Sequence, residues 1–388
     1  MYIVSVAKGD NPRKMLEEAI SLCGGLPSIL GDKNERILIK PNFGCHKPSV
    51  TGATTDLRVV VSLIEILQNE GYSDIIVGDG GMAGYLRVDI LSYLGVTRLC
   101  EKYGVPVVDL NKDNAVPVKL RSGATVKMSK IVLESKVINL AKLKTHVLTT
   151  VTLGIKNLLG SVVGADKREI HLHGLDENLA NLPFIVKPRL TIIEGIIGME
   201  GRGPVAGKPK KSNLIITSSD VIAADIVASK LIGFDPFTVK HIRHAIGIAS
   251  KSYKWKDIKI VGTPFAEAIT PFEGATPLGM EANPYVNRLK HMIRATPLYP
   301  VATTLMSAKS VAAIVNRLGV LQEKMDYELS VSPPIVEESM CNGCGFCKNV
   351  CPANAISIAE RKAYIDSDKC VKCFCCVEIC PRGTIKWR

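Results

Sequence analysis

Nine of the twelve cysteines lie between Cys341 and Cys380, and their spacing is the strongest chemical signal in the chain. From Cys341 the sequence reads C-N-G-C-G-F-C-K-N-V-C-P, and from Cys370 it reads C-V-K-C-F-C-C-V-E-I-C-P. Both copies fit C-x2-C-x2-C-x3-C-P, a run whose thiolates bind [4Fe–4S] clusters. Three thiolates on one tight loop reach three corners of a cube, and the loop amides can hydrogen-bond its sulfides. The fourth cysteine, followed by a helix-starting proline, lies too far along to close the same cube and reaches the other one. Cluster one is therefore expected to use Cys341, Cys344, Cys347 and Cys380. Cluster two is expected to use Cys370, Cys373, Cys376 and Cys351. Zinc also takes C-x2-C pairs, but four ligands in two pairs satisfy it, and two full four-cysteine runs then have no purpose. Cys375 is surplus to the pattern and is expected to be a packed or weakly exposed free thiol. The clustering, without a secretion signal at Met1–Lys8, points to metal ligation in a reducing cytosol rather than to disulfides.

A second group of chemistry-bearing residues lies upstream. Lys40-Pro-Asn-Phe-Gly-Cys-His-Lys is followed by Thr51-Gly-Ala-Thr-Thr-Asp56, and Gly78-Asp-Gly-Gly-Met-Ala-Gly84 comes next. Lys142-Leu-Lys-Thr-His146, Lys156-Asn157 and Gly198-Met-Glu-Gly-Arg-Gly-Pro-Val-Ala-Gly207 complete the set. Each has an ordinary use, since glycine runs make turns and Thr54, Thr55 and Asp220 are good helix N-caps. Together they place Lys40, Lys144, Lys156, Arg168 and Arg202, with His146, His171 and His173, near helix starts whose free N–H groups favour anions. That points to a pocket for a phosphate- or carboxylate-bearing ligand. Cys45-His46 and His171-x-His173 have the residue types of a nickel or zinc site, although no acidic cluster completes one. Gly78, Gly80 and Ala83 fit G-x-G-x-x-G/A, a weak dinucleotide match because the strand before it is not the first.

The elements that must position these residues alternate. Strand-like runs cover Tyr2–Val6, Arg36–Lys40, Asp74–Val77, Val105–Asp109, Lys136–Asn139, Arg189–Ile193, Leu214–Thr217 and Ile258–Val261. Helical periodicity covers Pro12–Leu22, Leu57–Asn69, Val88–Lys102, Leu175–Ile185, Val221–Leu231 and Thr238–Ala249. Short strands apolar on both faces belong in a parallel sheet. Residues 1–265 are therefore expected to form an α/β layered domain, a mostly parallel sheet with helices on both faces. Val116–Val126 reads as an inserted hairpin. In such sheets ligands bind beyond the carboxyl ends of the strands, where the polar runs fall. Residues 266–333 are proline-punctuated, with a helix from Thr303 to Lys324, and serve as a connector, a lid or a homodimer contact.

Residues 334–388 resemble the small α+β two-cluster bacterial ferredoxin fold. Val336-Glu337 with Ala355–Ile358, and Ala363–Ile365 with Thr384–Trp387, are its expected strand pairs. Upstream, the ordered set Lys40-Pro41-Asn42, Thr54-Thr55-Asp56, Lys144-Thr145-His146, Lys156-Asn157 with Leu158-Leu159-Gly160, Gly203-Pro204 with Gly207, and Asp220 with Ala224-Asp225 resembles the family called domain of unknown function three-six-two. This is the version with a ferredoxin module appended, and the likeness covers most of residues 35 to 245. It implies an iron–sulfur protein of the kind frequent in anaerobes, with a fold and a site region but no reaction.

The composition narrows the function classes. Hydrophobic residues make up 46% of the chain, enough for a large core. No stretch has the ~18 uncharged apolar residues that span a bilayer, so a soluble, cytoplasmic protein without a membrane partner is expected. The formal charge of +12 falls to about +8 with two oxidised clusters bound and is dispersed, a weak guide to partners. Only 5% of residues are aromatic, and no stacking platform for nucleic acid is visible.

The expected function is an electron-transfer protein or oxidoreductase. Two [4Fe–4S] clusters pass electrons to or from an anionic small molecule at the basic sheet edge. There Lys40, Asn42, Thr54, Thr55, Lys156, Asn157 and Arg202 bind it, and Lys144 and His146 are the catalytic pair. His146 is the proton donor or acceptor, because imidazole titrates near neutrality. The other reading is a dedicated carrier whose α/β domain docks a partner redox enzyme and binds no substrate.

Overall fold

The computed structural model describes residues 1–82, 89–146, 149–172, 174–201, 203–205, 207–274, 333–345, 347–348, 351, 354–370, 376 and 384–386. Its strands are β1 (Tyr2–Lys8), β2 (Ile37–Lys40), β3 (Ile75–Asp79), β4 (Val107–Asp109), β5 (Ala115–Lys119), β6 (Thr125–Ser129), β7 (Lys136–His146) and β8 (Thr150–Thr152). They continue with β9 (Leu190–Glu200), β10 (Lys208–Ser218), β11 (Ile258–Gly262), β12 (Ile335–Val336), β13 (Ile356–Ala359), β14 (Lys362–Ile365) and β15 (Ile385–Lys386).

Nine strands form one sheet in the order β11-β1-β10-β9-β7-β2-β3-β4, with β8 added to the end of β7. Neighbours are parallel except around β10, which runs against β1 and β9, and at β8. The sheet is therefore mostly parallel but mixed. Two apolar layers cover it, and the period-2 alternation of the strands sorts residues between them. Ile37, Ile39, Ile75, Val77, Ile138 and Leu140 pack against the helices Pro12–Leu22 and Leu57–Asn69. Leu38, Ile76, Val137, Ala141 and Leu143 face the other way, toward the helices Val221–Leu231 and Lys240–Ala249.

All eight strand runs read from the sequence are present, and Pro12–Leu22, Leu57–Asn69 and Val221–Leu231 are helical over those bounds. The β5–β6 hairpin is also where it was expected. Three expectations change. Lys142–His146 is not a loop after β7 but its second half, because Lys142 finds a carboxylate in the neighbouring strand and can stay in the sheet. The glycine-rich run from Gly198 is likewise shorter, since β9 and β10 continue as a long antiparallel ribbon from Glu200 and Lys208. Val88–Lys102 and Leu175–Ile185 each break into two short helices, the first at Gly95, whose φ is 76°.

The chain stays with the α/β core past residue 265. Phe272 is buried there, and Phe272 N–H donates to the Ile232 carbonyl (2.9 Å). The helix expected at Thr303–Lys324 lies outside the described residues.

In the small carboxy-terminal unit the expected strand pairs are exchanged. β13 pairs with β14 as a tight hairpin, and β12 pairs with β15. The hairpin turns through Glu360 and Arg361, whose φ values are 49° and 59°, the left-handed conformations of a two-residue turn. The outer strands, far apart in sequence, then close the ends.

Candidate functional site

The ferredoxin-like unit has a small core in which Cys347, Cys351 and Cys376 are buried with Ala355, Ile356, Ala363 and Ile385, and Cys341 and Cys370 are partly buried. Cys341, Cys344 and Cys347 line one cavity with Gly343, Gly345, Ile358 and Thr384. The loop can bring its thiols inward because Gly343 takes φ 67°, and a Cβ there would lie 2.5 Å from the Arg361 backbone. The Ala355 N–H donates to Cys351 Sγ at 3.3 Å, a bond that favours a thiolate. An all-sulfur donor set around an apolar cavity fits an iron–sulfur cube.

Cys373, Cys375 and Cys380 lie outside the described residues. Among the described residues no three His, Cys, Asp or Glu side chains are grouped to hold a single metal ion, at Cys45–His46 or elsewhere. A cube takes one thiolate per iron, so its ligands need not crowd as those of one ion do.

At the sheet edge the sequence-predicted residues fall into two hydrogen-bonded groups joined through Asn42. Lys40 ends β2, and its register partner is Asn139. Lys40 and Lys144 hold different partners, although Asp79, the partner of Lys40, also acts on Lys144 through space. The Lys40 ammonium, fully buried, is held by Asp79 Oδ1 at 2.7 Å. Asp79 Oδ2 accepts the Phe43 N–H at 2.6 Å. Lys40 thus pairs with a carboxylate inside the protein. The backbone of Gly160 closes over this pair, and a Cβ there would lie 2.3 Å from Asp79 Oδ1.

Lys142 pairs with Glu194 at 2.7 Å, both with 0% exposure. Glu194 also accepts N–H groups from Asp56 and Ile196. Burial raises its pKa, with Lys142 opposing. Asp56, not Thr54 or Thr55, caps the helix Leu57–Asn69 by accepting from Arg58 N–H. The threonines tie the preceding loop instead. Thr55 Oγ1 accepts from Asn42 N–H at 2.8 Å, and the Thr54 hydroxyl donates to the Lys47 carbonyl at 2.8 Å. Asp220 is an N-cap as expected, accepting from Ala223 N–H.

Lys144 is the unusual member. Its ammonium donates to Asn42 Oδ1 at 2.8 Å and to the Ala53 carbonyl at 2.7 Å, both uncharged oxygens. Burial pushes its pKa down to about 7; Cys45 partly offsets this, and Lys142 and Lys156 add to it. Lys144 is therefore poised to gain or lose a proton near neutrality. His146, two residues on, lies on the same side of β7, and its Nδ1 accepts the Thr149 N–H at 3.3 Å. Asn42 links the two groups, because its Nδ2 donates to Asn157 Oδ1 at 2.9 Å. Asn157 in turn donates to Asn139 Oδ1 at 2.8 Å and to the Lys40 carbonyl.

Lys156, also buried, has its pKa lowered to about 8 by desolvation, with Asp176 opposing. Arg202 lies outside the described residues, as do the side chains of Arg168, His171 and His173. An open cleft of about 890 Å³ lies at the opposite, amino-terminal edge, beside Lys187, Arg189 and Tyr253. It is not the edge the sequence indicated, and Arg189 there is turned onto the Ile29 carbonyl.

Three residues of this network were not singled out from the sequence. Glu194 is a charge set in an apolar run, Ile192-Ile193-Glu194-Gly195-Ile196, and that misplacement is the signal that could have found it; Lys167, between Asp166 and Arg168, carries no such signal. Lys167 is held by Asn111 and the Val162 carbonyl, and burial lowers its pKa to about 8. Asp225 appeared only in the family resemblance. It accepts N–H groups from Gly154 and Ile155, yet burial still raises its pKa to about 7.

Comparison with known proteins agrees with both halves. A family model described as "Domain of unknown function (DUF362)" matches residues 37–230, and one described as "4Fe-4S dicluster domain" matches residues 340–384. A thylakoid-associated protein of Synechocystis sp. is 31% identical over 223 residues, 56% of this chain and 68% of that protein. One component of the ion-translocating oxidoreductase complex of Methanosarcina acetivorans is 48% identical over 48 residues, 12% of this chain and 18% of its own length. One component of the H(2):CoB-CoM heterodisulfide,ferredoxin reductase of Methanothermobacter thermautotrophicus is 32% identical over 77 residues, 15% of this chain and 12% of its own length. Among the described residues no helix is long and apolar enough to cross a membrane.

Proposed function

This chain belongs to the DUF362 family, and from that premise we propose that it is a two-cluster electron carrier that exchanges electrons with a separate redox protein. Its iron–sulfur, electron-transfer character follows from the dicluster module and its relatives. The proposal adds the number of clusters, the ligand sets and the docking role. Each cluster, when bound, takes up or gives up one electron. Cys341, Cys344, Cys347 and Cys380 hold one; Cys370, Cys373, Cys376 and Cys351 hold the other. The observation that carries this is the gathering of Cys341, Cys347, Cys351, Cys370 and Cys376 in one small core, with a cavity beside Cys341, Cys344 and Cys347. Two relatives are components of multi-protein oxidoreductases, which supports a protein partner.

The carrier reading stands first because Lys40 is taken by Asp79, which removes one of the cations expected to hold an anion. Its test is electron exchange between the dithionite-reduced protein and an oxidised two-cluster ferredoxin, followed by the visible absorbance of the clusters. Rapid exchange without added small molecules is expected. Exchange that begins only when a small anion is supplied would overturn it.

One observation favours a second role for the α/β domain, that of anion binding at Lys144. A buried lysine with only neutral acceptors gains most from an incoming negative group, which would restore its charge. Calorimetric titration with inorganic phosphate and with acetate at pH 8, in buffers of different ionisation heat, tests this. Binding with proton uptake in the wild type, and none in Lys144→Met, is expected. Equal binding in both, or no binding to the wild type, would contradict it.

A further inference from the structure

The helix Val96–Glu101 carries Arg98 on its outer side, while Val96, Leu99 and Cys100 fix it in the α/β core. Arg98 Nη1 donates to the carbonyl of Cys351 at 2.9 Å and to Asn354 Oδ1 at 3.2 Å. These bonds join positions more than 250 residues apart, across the two folding units. Cys351 is not an arbitrary contact, because the spacing assigns it to cluster two with Cys370, Cys373 and Cys376.

We propose that Arg98 is a docking and tuning residue that seats cluster two, and not cluster one, against the α/β domain. The inference rests on the two-cluster reading above and adds an orientation to it. Two features support the orientation. Cys344, assigned to cluster one, is exposed, as are Met340 and Ile335, while Cys347 of the same cluster is as buried as Cys351 and Cys376. The Cys344 edge of cluster one thus lies outward, open to a partner protein. In the other direction, the short helix Ile90–Tyr93 leads from the Arg98 helix to the Cys45–His46 loop, where Tyr93 meets His46 edge-on with ring centroids 6.0 Å apart. Cluster two is thereby set on the side that leads to Lys144.

A guanidinium on the peptide of a cluster ligand stabilises the more negative, reduced state and raises the reduction potential. Only the cluster bound by that peptide feels it strongly. The Arg98 side chain is exposed, so the effect is partly screened and must weaken as salt is added.

The test is an EPR-monitored redox titration of the anaerobic holoprotein and of Arg98→Glu and Arg98→Lys. Iron is counted in each sample, so loss of a cluster is separated from a shift in potential. Arg98→Glu is expected to lower one midpoint potential and leave the other, with a smaller difference at high salt. Arg98→Lys keeps the charge and should retain most of the wild-type value. The shifted signal should be the one missing from Cys376→Ser and present in Cys347→Ser. With about eight irons present, unchanged potentials in Arg98→Glu, or a shift in the signal that Cys347→Ser removes, would overturn the proposal. A wild-type iron count near four would instead defeat the two-cluster reading beneath it.

Discussion

The Nζ of Lys144 lies 2.8 Å from Oδ1 of Asn42, and Asn42 Nδ2 lies 2.9 Å from Oδ1 of Asn157. One amide thus joins a buried lysine to the polar network of Asn157, Asn139 and the Lys40 carbonyl. Because its acceptors are uncharged, Lys144 has its pKa lowered by burial to about 7. An unfolded lysine titrates near 10.4. Between those values the unfolded chain holds a proton that the folded chain lacks. Stability therefore rises with pH from about 7 to about 10, by at most about 1.4 kcal/mol per pH unit from this group. Chemical denaturation across that range should show a steeper rise for the wild type than for Lys144→Met. Lys156 and Lys167 act in the same sense from about pH 8 upward.

Lys40 and Asp79 form a pair with 0% and 3% side-chain exposure. Lys40→Met leaves a buried carboxylate without its cation and should destabilise the fold by about 3–5 kcal/mol. Lys40→Met with Asp79→Asn keeps an acceptor for the Phe43 N–H and removes the unpaired charge, so denaturation should show part of the loss recovered.

Gly160→Ala should be destabilising by about 1–3 kcal/mol, since overpacking here displaces two ion-paired side chains rather than a flexible tip. The built Cβ would also lie 2.6 Å from Lys40 Nζ. Gly247→Ala is the matched control. It lies within the helix Lys240–Ala249, where an added Cβ meets nothing within 4 Å. That substitution should be neutral or stabilising by about 1 kcal/mol.

Cys375→Ser should retain both clusters, because Cys375 aligns with Phe346 of the first repeat. Cys376→Ser should lose one cluster and about four irons, measured by iron and sulfide assay. The reverse pattern would mean a different ligand register.

The parallel core was legible because Val and Ile runs such as Ile37–Ile39 and Ile75–Val77 are apolar on both faces and bounded by turns. Where charges interrupt such runs, as at Lys142, Lys144 and Glu194, the strands look as though they end. Only pairing across β7 and β9 shows that they continue. The sheet edge was legible in outline, since Lys144 and His146 do share one side of an extended segment. The partner of Lys40 was not, because only the register of β2 with β3 brings Asp79 to it. Nothing in Lys40-Pro41-Asn42 fixes that register. Likewise the exchange of strand pairs in the small domain depends on the turn at Glu360–Arg361, which carries neither the glycine nor the asparagine that marks such turns.

The most direct measurement is an iron, sulfide and EPR count on anaerobically purified protein. About eight irons and eight sulfides per chain, with the reduced signal showing magnetic interaction between two centres, is the predicted result. Bound zinc in place of iron, or about four irons with one isolated signal, would contradict the account.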